Sequence, residues 1–312
     1  MNRPTAALET AHVGVVSRPI RLRSLVASLR PRQWTKNGAL LVAALFSKHA
    51  RDPASLRLAL LGVAAFSLLA SAVYLGNDIA DREQDRLHPL KRARPIAAGE
   101  LPVGLAATAA VLLALSGLTL SLTLGVSFFT VALAYLLLQV LYTVRLKDLV
   151  LVDVFAVAAG FVLRVVAGAE AIAVPISNWL FLCAMLLALF LALAKRRAEL
   201  TLLDAQAGLH RRILGEYSVP LLDQLVTVVS ACTVLAYALY TLAPDTIARF
   251  GTERLKYTVP FVLFGLFRYH YLVNRHGAGG QPEQVLLSDR PTQLNLLAYV
   301  AVVVWAIYAT GS

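Results

Sequence analysis

Asn77, Asp78, Asp81 and Asp85 belong to one run, Asn77-Asp78-Ile79-Ala80-Asp81-Arg82-Glu83-Gln84-Asp85, directly after an apolar stretch that ends near Tyr74. Carboxylates at the mouth of a membrane helix are costly unless something cationic sits among them. On a helix, Asn77, Asp81 and Asp85 recur every four residues and line one face, with Asp78 on its flank. Oxygen ligands around an open space suit Mg²⁺ bound together with a substrate's phosphates. The run therefore reads as the centre of a phosphate-handling site. The plainer reading is a solvated helix end, its carboxylates paired with Arg82 and Arg86.

Basic motifs accompany the acidic run. Lys91-Arg92-Ala93-Arg94-Pro95-Ile96 lies just downstream. Arginine forks match phosphate oxygens and lysine supplies a point charge; without the acidic neighbours the motif would be ordinary flanking charge. Arg30-Pro31-Arg32-Gln33-Trp34-Thr35-Lys36-Asn37 opens the first apolar stretch. There Trp34 suits an interfacial anchor, and Lys36 is placed to point into a polar cavity. Lys195-Arg196-Arg197-Ala198-Glu199 closes the sixth stretch, with Lys195 and Glu199 four apart on one face. Glu199 is a candidate second metal ligand, and Lys195 and Arg196 are candidate phosphate grips; a basic stop is the alternative. Inside the fifth stretch Asp153 and Arg164 are about three turns apart and share a face. Tyr135, Gln139 and Tyr142 form a polar stripe on the fourth. These groups either line an interior cavity or hold helices together by hydrogen bonds. Gly160 and Gly168 read as permitting close helix packing.

The elements that must position these residues are set by composition. The chain has 312 residues, 58% hydrophobic and 15% charged, where soluble domains carry about 25% charged. This describes an all-α, polytopic membrane bundle. At roughly 20 apolar residues per span, about nine transmembrane helices are expected. They run Trp34–Phe46, Leu56–Leu75, Val103–Leu124, Val126–Val144, Leu149–Ala169, Trp179–Ala194, Leu221–Leu242, Tyr257–Val273 and Leu294–Ala309. Basic residues gather in alternate connections: Arg86, Lys91, Arg92 and Arg94; Arg145 and Lys147; Lys195 to Arg197 with Arg211. By the positive-inside rule these connections and the acidic run are cytoplasmic. Lys48 with Arg51, and Arg249, Arg254 and Lys256, run against that contrast. Residues 1–33, with Arg18, Arg21 and Arg23 among apolar residues, read as a basic cytoplasmic or interfacial arm. Residues 34–312 read as a single transmembrane catalytic domain. The net charge of +11 does not indicate nucleic acid, because no stacking platform or recognition helix accompanies it. Cys183 and Cys232 lie in apolar runs without metal-ligand spacing.

On these residues the chain resembles the UbiA-type intramembrane prenyltransferase superfamily, whose signature is N-D-x-x-D-x-x-x-D after the second span. More closely it resembles the decaprenyl-phosphate phosphoribosyltransferase branch of the actinobacterial cell-wall arabinose pathway. The likeness rests on Arg30 through Asn37, Tyr74 through Asp85, Lys91 through Gly99 and Lys195 through Leu200, continuing at Pro282-Glu283 and Asp289-Arg290. Aromatic prenyltransferases of the superfamily carry a second Asp-rich motif after the sixth span. Here that place is basic, with the single acid Glu199.

The resemblance implies a UbiA-like bundle in the plasma (inner) membrane, its active site facing the cytoplasm. It implies Mg²⁺-dependent transfer of 5-phosphoribose from phosphoribosyl pyrophosphate to a polyprenyl (decaprenyl) phosphate for arabinan precursor synthesis. Metal ligands would be Asn77, Asp81 and Asp85. Catalytic residues would be Asp78, Asp81, Asp85, Lys36 and Lys195. Substrate contacts would come from Lys36, Tyr74, Lys91, Arg94, Tyr142, Lys147, Arg164, Lys195, Arg196 and Glu199. A homo-oligomer is compatible with this reading. Its rivals are a UbiA-type enzyme using a prenyl diphosphate donor, and an ion-coupled transporter.

Overall fold

The computed structural model describes residues 22–47, 52–89, 91–203, 212–276 and 288–309. Arg18 and Arg21 of the arm, Lys48, Arg51, Arg211, Pro282 and Glu283 lie outside the described residues. Within them all regular structure is helical: α1 (Leu22–Leu29), α2 (Leu40–Leu45), α3 (Pro53–Ala80), α4 (Arg82–Leu87), α5 (Val103–Thr123), α6 (Val126–Val144), α7 (Val152–Ala171), α8 (Asn178–Leu203), α9 (Val219–Leu242), α10 (Pro244–Phe250), α11 (Val259–His276) and α12 (Arg290–Tyr308). A 3₁₀ segment, Pro31–Ala39, leads into α2.

Three long helices start on the same local chemistry, a polar cap followed by proline in the first turn. Asp52 accepts from the amides of Ala54 (3.2 Å) and Ser55 (3.0 Å) to begin α3. Ser218 accepts from Leu221 N–H (3.3 Å) to begin α9, and Asp289 from Thr292 N–H (3.0 Å) to begin α12. Each cap satisfies an amide that the first turn leaves without a partner, and proline costs nothing there because its missing N–H would be one of those orphans. Gly125, at φ 110°, makes the turn between α5 and α6, a backbone region that side chains with a Cβ rarely enter.

Seven of the nine expected spans are helices long and apolar enough to cross a membrane: α3, α5, α6, α7, α8, α9 and α12. The other two differ for physical reasons. The first is divided into the polar 3₁₀ segment and the short α2. The eighth, α11, is helical but carries Arg268, His270 and Arg275. The second extends past its expected end at Leu75, because α3 continues through Asn77 and Asp78 to Ala80.

Of the most apolar windows of α3 and α7, 61% is buried, against 11% and 17% for α5 and α6. The first two are therefore the inner helices, and the second two present apolar faces outward. Leu40, Phe66, Leu69, Phe128 and Ala167 pack where α2, α3, α6 and α7 meet. Gly168 fits the expectation of close packing: a Cβ there would lie 2.0 Å from the Leu40 carbonyl oxygen. A second cluster joins α7, α8, α9 and α11 through Val154, Phe190, Leu193, Leu222 and Tyr269. At one end of the bundle the C-termini of α3, α6 and α8 meet the N-termini of α7 and α9 through charged side chains. At the other end a cavity of about 300 Å³ opens among Phe46, Ser177, Trp179, Tyr240 and Arg249.

Candidate active site

At the charged end, α3 stops at Asp81 and α4 takes over, yet the i→i+4 register persists. Asp81 N–H donates to Asn77 O, and Asp85 N–H to Asp81 O, both at 2.8 Å. The four candidate side chains nevertheless divide into two rows. Asp78 and Asp85, 2% and 3% exposed, turn together toward the connection that follows α4. Asn77 turns toward α6 and Asp81 toward the turn Leu146–Asp148 that follows it. Helical geometry accounts for this split. Seven residues bring a side chain back within about 20°, whereas the eight from Asn77 to Asp85 leave about 80° between them. Asp85 thus belongs with Asp78 rather than with Asn77 and Asp81, a correction to the single face expected from four-residue spacing.

Cations from separate elements meet the rows. Arg94 Nη1 lies 3.0 Å from Asp78 and 2.6 Å from Asp85, bridging the first row. Arg30, at a left-handed φ of 55° before the 3₁₀ segment, also pairs with Asp78 and stacks over the Tyr74 ring at 5.0 Å. In the second row Thr143 Oγ1 donates to Asn77, and Lys147 Nζ lies 2.8 Å from Asp81. Arg94 is positioned by its own loop. Ile96, fully buried against Leu75, Leu101 and Ala106, anchors that loop in the core. Ser24 of α1 bonds Glu100 at 2.7 Å, tying α1 to the same loop.

The Lys195–Glu199 turn forms a second charged group. Arg196 is 5% exposed and Asp153 is fully buried. Arg196 Nη2 lies 2.6 Å from Asp153 and its Nη1 2.5 Å from Glu199; Tyr142 also hydrogen-bonds it. Lys195 Nζ, more open to solvent, stands 4.0 Å from Glu199. Tyr217 donates its hydroxyl proton to Asp153 (2.6 Å) and accepts from Leu151 N–H (2.7 Å). Burial, then the bond to Asp153, pushes the Tyr217 phenol up to about 12.

Arg164 lies deeper. It donates to Asn37 Oδ1 (2.8 Å), the Gly160 carbonyl (2.7 Å) and Tyr135 OH (2.9 Å), and it packs on the Tyr135 ring. Asn37 in turn donates to Ser67 (3.0 Å), and Trp34 donates to Ser71 (3.0 Å), fastening the 3₁₀ segment that carries Lys36 to α3. Asp153 and Arg164 therefore do not serve one cavity wall; each is held in its own hydrogen-bonded group. The stripe on α6 is shared between these groups, Tyr135 with Arg164 and Tyr142 with Arg196.

The structure thus brings together Tyr74, Asp78, Asp85 and Arg94; Asn77, Asp81 and Lys147; and Tyr142, Lys195, Arg196 and Glu199. Lys91 is exposed on its loop, Lys36 is half-buried, and Arg164 stands apart from the carboxylates. Sequence reasoning passed over Arg30, Thr143 and Tyr217 as individual site residues. Arg30 had a signal, since it precedes a proline beside the acidic run; Thr143 and Tyr217 had none.

Among the described residues no three carboxylate, histidine or cysteine side chains converge as a metal-holding group. The donor chemistry still fits a hard divalent cation. Asn77, Asp78, Asp81 and Asp85 offer oxygen ligands, and the cations meeting these carboxylates, Arg30, Arg94 and Lys147, are of the types that bind phosphate.

Residues 38–288 match the UbiA prenyltransferase family. The chain is 34% identical over 296 residues to the decaprenyl-phosphate phosphoribosyltransferase of Mycolicibacterium smegmatis, covering 91% of this chain and 92% of that one. It is 37% identical over 294 residues to the enzyme of that name from Corynebacterium glutamicum, covering 91% and 86%. In fold it is similar to a UbiA homologue from Archaeoglobus fulgidus bound to GPP and Mg²⁺. That likeness has a TM-score of 0.71 at 22% identity, over 90% of this chain and 98% of that one.

Proposed function

The chain belongs to the UbiA prenyltransferase family, making it an integral membrane transferase, and from that premise we propose that it moves 5-phosphoribose from phosphoribosyl pyrophosphate to a polyprenyl phosphate, decaprenyl phosphate in the cell. Pyrophosphate is released, and the product serves cell-wall arabinan synthesis. The observation that supports this donor most is the supply of cations at the charged end. Arg30, Arg94, Lys147 and Lys195 come from four separate elements, and Glu199 stands alone where a second acidic motif would serve a prenyl diphosphate. A donor with a diphosphate at C1 and a monophosphate at the far end of the sugar matches that surplus. The names of the relatives from M. smegmatis and C. glutamicum agree.

Asn77 and Asp81 from one row and Asp85 from the other, with Asp78 beside Asp85, would hold Mg²⁺, which when bound neutralises charge on a departing diphosphate. The chain's own cations do the rest. Lys36 and Lys195 grip donor phosphates, and Arg94 and Lys91 serve the lipid phosphate or the sugar's terminal phosphate. The lipid phosphate oxygen is anionic at neutral pH, so no strong general base is needed. Its bond to C1 forms as the bond from C1 to pyrophosphate breaks, inverting the anomeric carbon to a β-linked product. Positioning and electrostatics supply most of the rate. The reacting end faces the cytoplasm, and residues 34–312 act as the catalytic domain, to which Arg30 of the preceding basic arm contributes a cation.

The test is purified protein in nanodiscs with Mg²⁺ and each donor in turn. Polyprenyl phosphate should trigger pyrophosphate release from phosphoribosyl pyrophosphate. Prenyl transfer from geranyl diphosphate without that release would replace the reading by its nearest rival. Solute flux across sealed liposomes without product would replace it by a transporter.

A further inference from the structure

Arg196 stands in a basic motif that invites a phosphate, but its surroundings deny one. Its guanidinium is 5% exposed and its two Nη groups face two carboxylates, Asp153 at 2.6 Å and Glu199 at 2.5 Å, while its Nε is buried without a hydrogen-bond partner among the described residues. A phosphate could reach it only by displacing one of them into a buried, low-dielectric surrounding, where an unpaired charge is heavily penalised. The neighbouring Lys195 side chain, by contrast, is 46% exposed.

Behind Arg196, Asp153 is fully buried, and one of its oxygens is taken by the Tyr217 hydroxyl. That hydroxyl also receives the amide of Leu151, whose φ of 64° is a conformation leucine rarely adopts. Leu151 follows the short turn that presents Lys147 to Asp81. One phenol therefore fastens both the corner beneath Lys147 and the carboxylate behind Arg196.

We propose that Asp153 and Tyr217 are positioning residues for the sugar-phosphate donor: they hold Arg196 as a strut behind Glu199, so that Lys195 and Glu199, and not Arg196, face the donor. This rests on the reading under Proposed function. Loss of Asp153 leaves Arg196 with Glu199 as its remaining carboxylate and draws Glu199 inward, away from the donor. Loss of the Tyr217 hydroxyl frees both Asp153 and the Leu151 corner. Buried networks of this kind act as units, so their members should not contribute additively.

The test measures KM for phosphoribosyl pyrophosphate and for polyprenyl phosphate, together with kcat, in nanodiscs for Y217F, D153N, R196Q and D153N/R196Q. Expected are a donor KM raised about tenfold in D153N and several-fold in Y217F, with the lipid KM unchanged. D153N should add nothing on an R196Q background. Y217F keeps the test decisive should D153N fail to fold, because it removes one hydroxyl and no charge. Wild-type donor KM in Y217F, equal shifts in both KM values, or full additivity in the double variant would each overturn the inference. Wild-type protein that releases no pyrophosphate from the donor would instead overturn the proposed function on which it stands.

Discussion

The two charged groups at the reacting end are built on opposite plans. Around Asn77 to Asp85 each cation comes from a different element, the 3₁₀ approach (Arg30), a loop (Arg94) and a helix connection (Lys147), and each is 22–27% exposed. Around Glu199 the central cation belongs to the same helix turn and is backed by a fully buried acid. Asp78 and Asp85 are nearly as buried as Asp153, so the difference lies in the cations. Arg30, Arg94 and Lys147 reach in from part-exposed positions, whereas Arg196 is buried with its partner, and a buried pair broken on one side is strongly destabilising. The difference teaches that ion-pair count does not identify the working carboxylates. On the proposed function, those around Asn77 to Asp85 would trade their part-exposed cations for a metal or a phosphate, while the buried Asp153–Arg196 pair would hold its shape.

Several substitutions should break or sharpen this contrast, the most severe first. D85A or D81A should lower turnover about a thousandfold, or ~4 kcal/mol of transition-state stabilisation, with the protein still folded in membranes; near-normal Mg²⁺-dependent activity in both would erase the distinction between exchangeable and fixed groups. R94Q removes the bridge between Asp78 and Asp85 and should cost about a hundredfold in kcat/KM, read from initial rates. K195A should raise the donor KM about tenfold and spare the lipid KM; an effect confined to the lipid would exchange the two pockets. A third pair, Arg268–Asp289, shares no ion pair with either group among the described residues and calibrates them. D289A loses the α12 cap and should lower stability by about 1 kcal/mol with unchanged kinetics, measured by thermal unfolding in micelles. The Arg268 bond holds the Asp289 carboxyl below its usual 3.8. Its contribution is therefore present above about pH 4 and is lost as pH falls below it, so D289A and wild type should converge in acid.

Most of the architecture was legible because span length and charge punctuation are local properties. The fourth span, Val126–Val144, is observed with the bounds read from its apolar run, since Gly125 and Arg145 delimit it. The first and eighth fall short of the others in length or apolarity because polar residues within them, Asn37 in one and Arg268 in the other, have partners on other helices. In the site, the acidic run and its companion motifs were readable from residue type. Their pairing was not, because it depends on Ile96 seating a loop and on Tyr217 crossing from another connection. Arg196 shows the same limit: sequence gives a cation's position and cannot show that two carboxylates flank it.

Arg164 carries one more consequence. Among the described residues its hydrogen-bond partners are an amide, a carbonyl and a phenol, and its charge meets no carboxylate in an ion pair. A fixed positive charge partway down α7 raises the energy of any sodium ion or proton following the polar groups between the helices. Held by these neutral partners, the Arg164 guanidinium thus sets a positive potential between the inner helices, which any cation following their polar groups would have to cross.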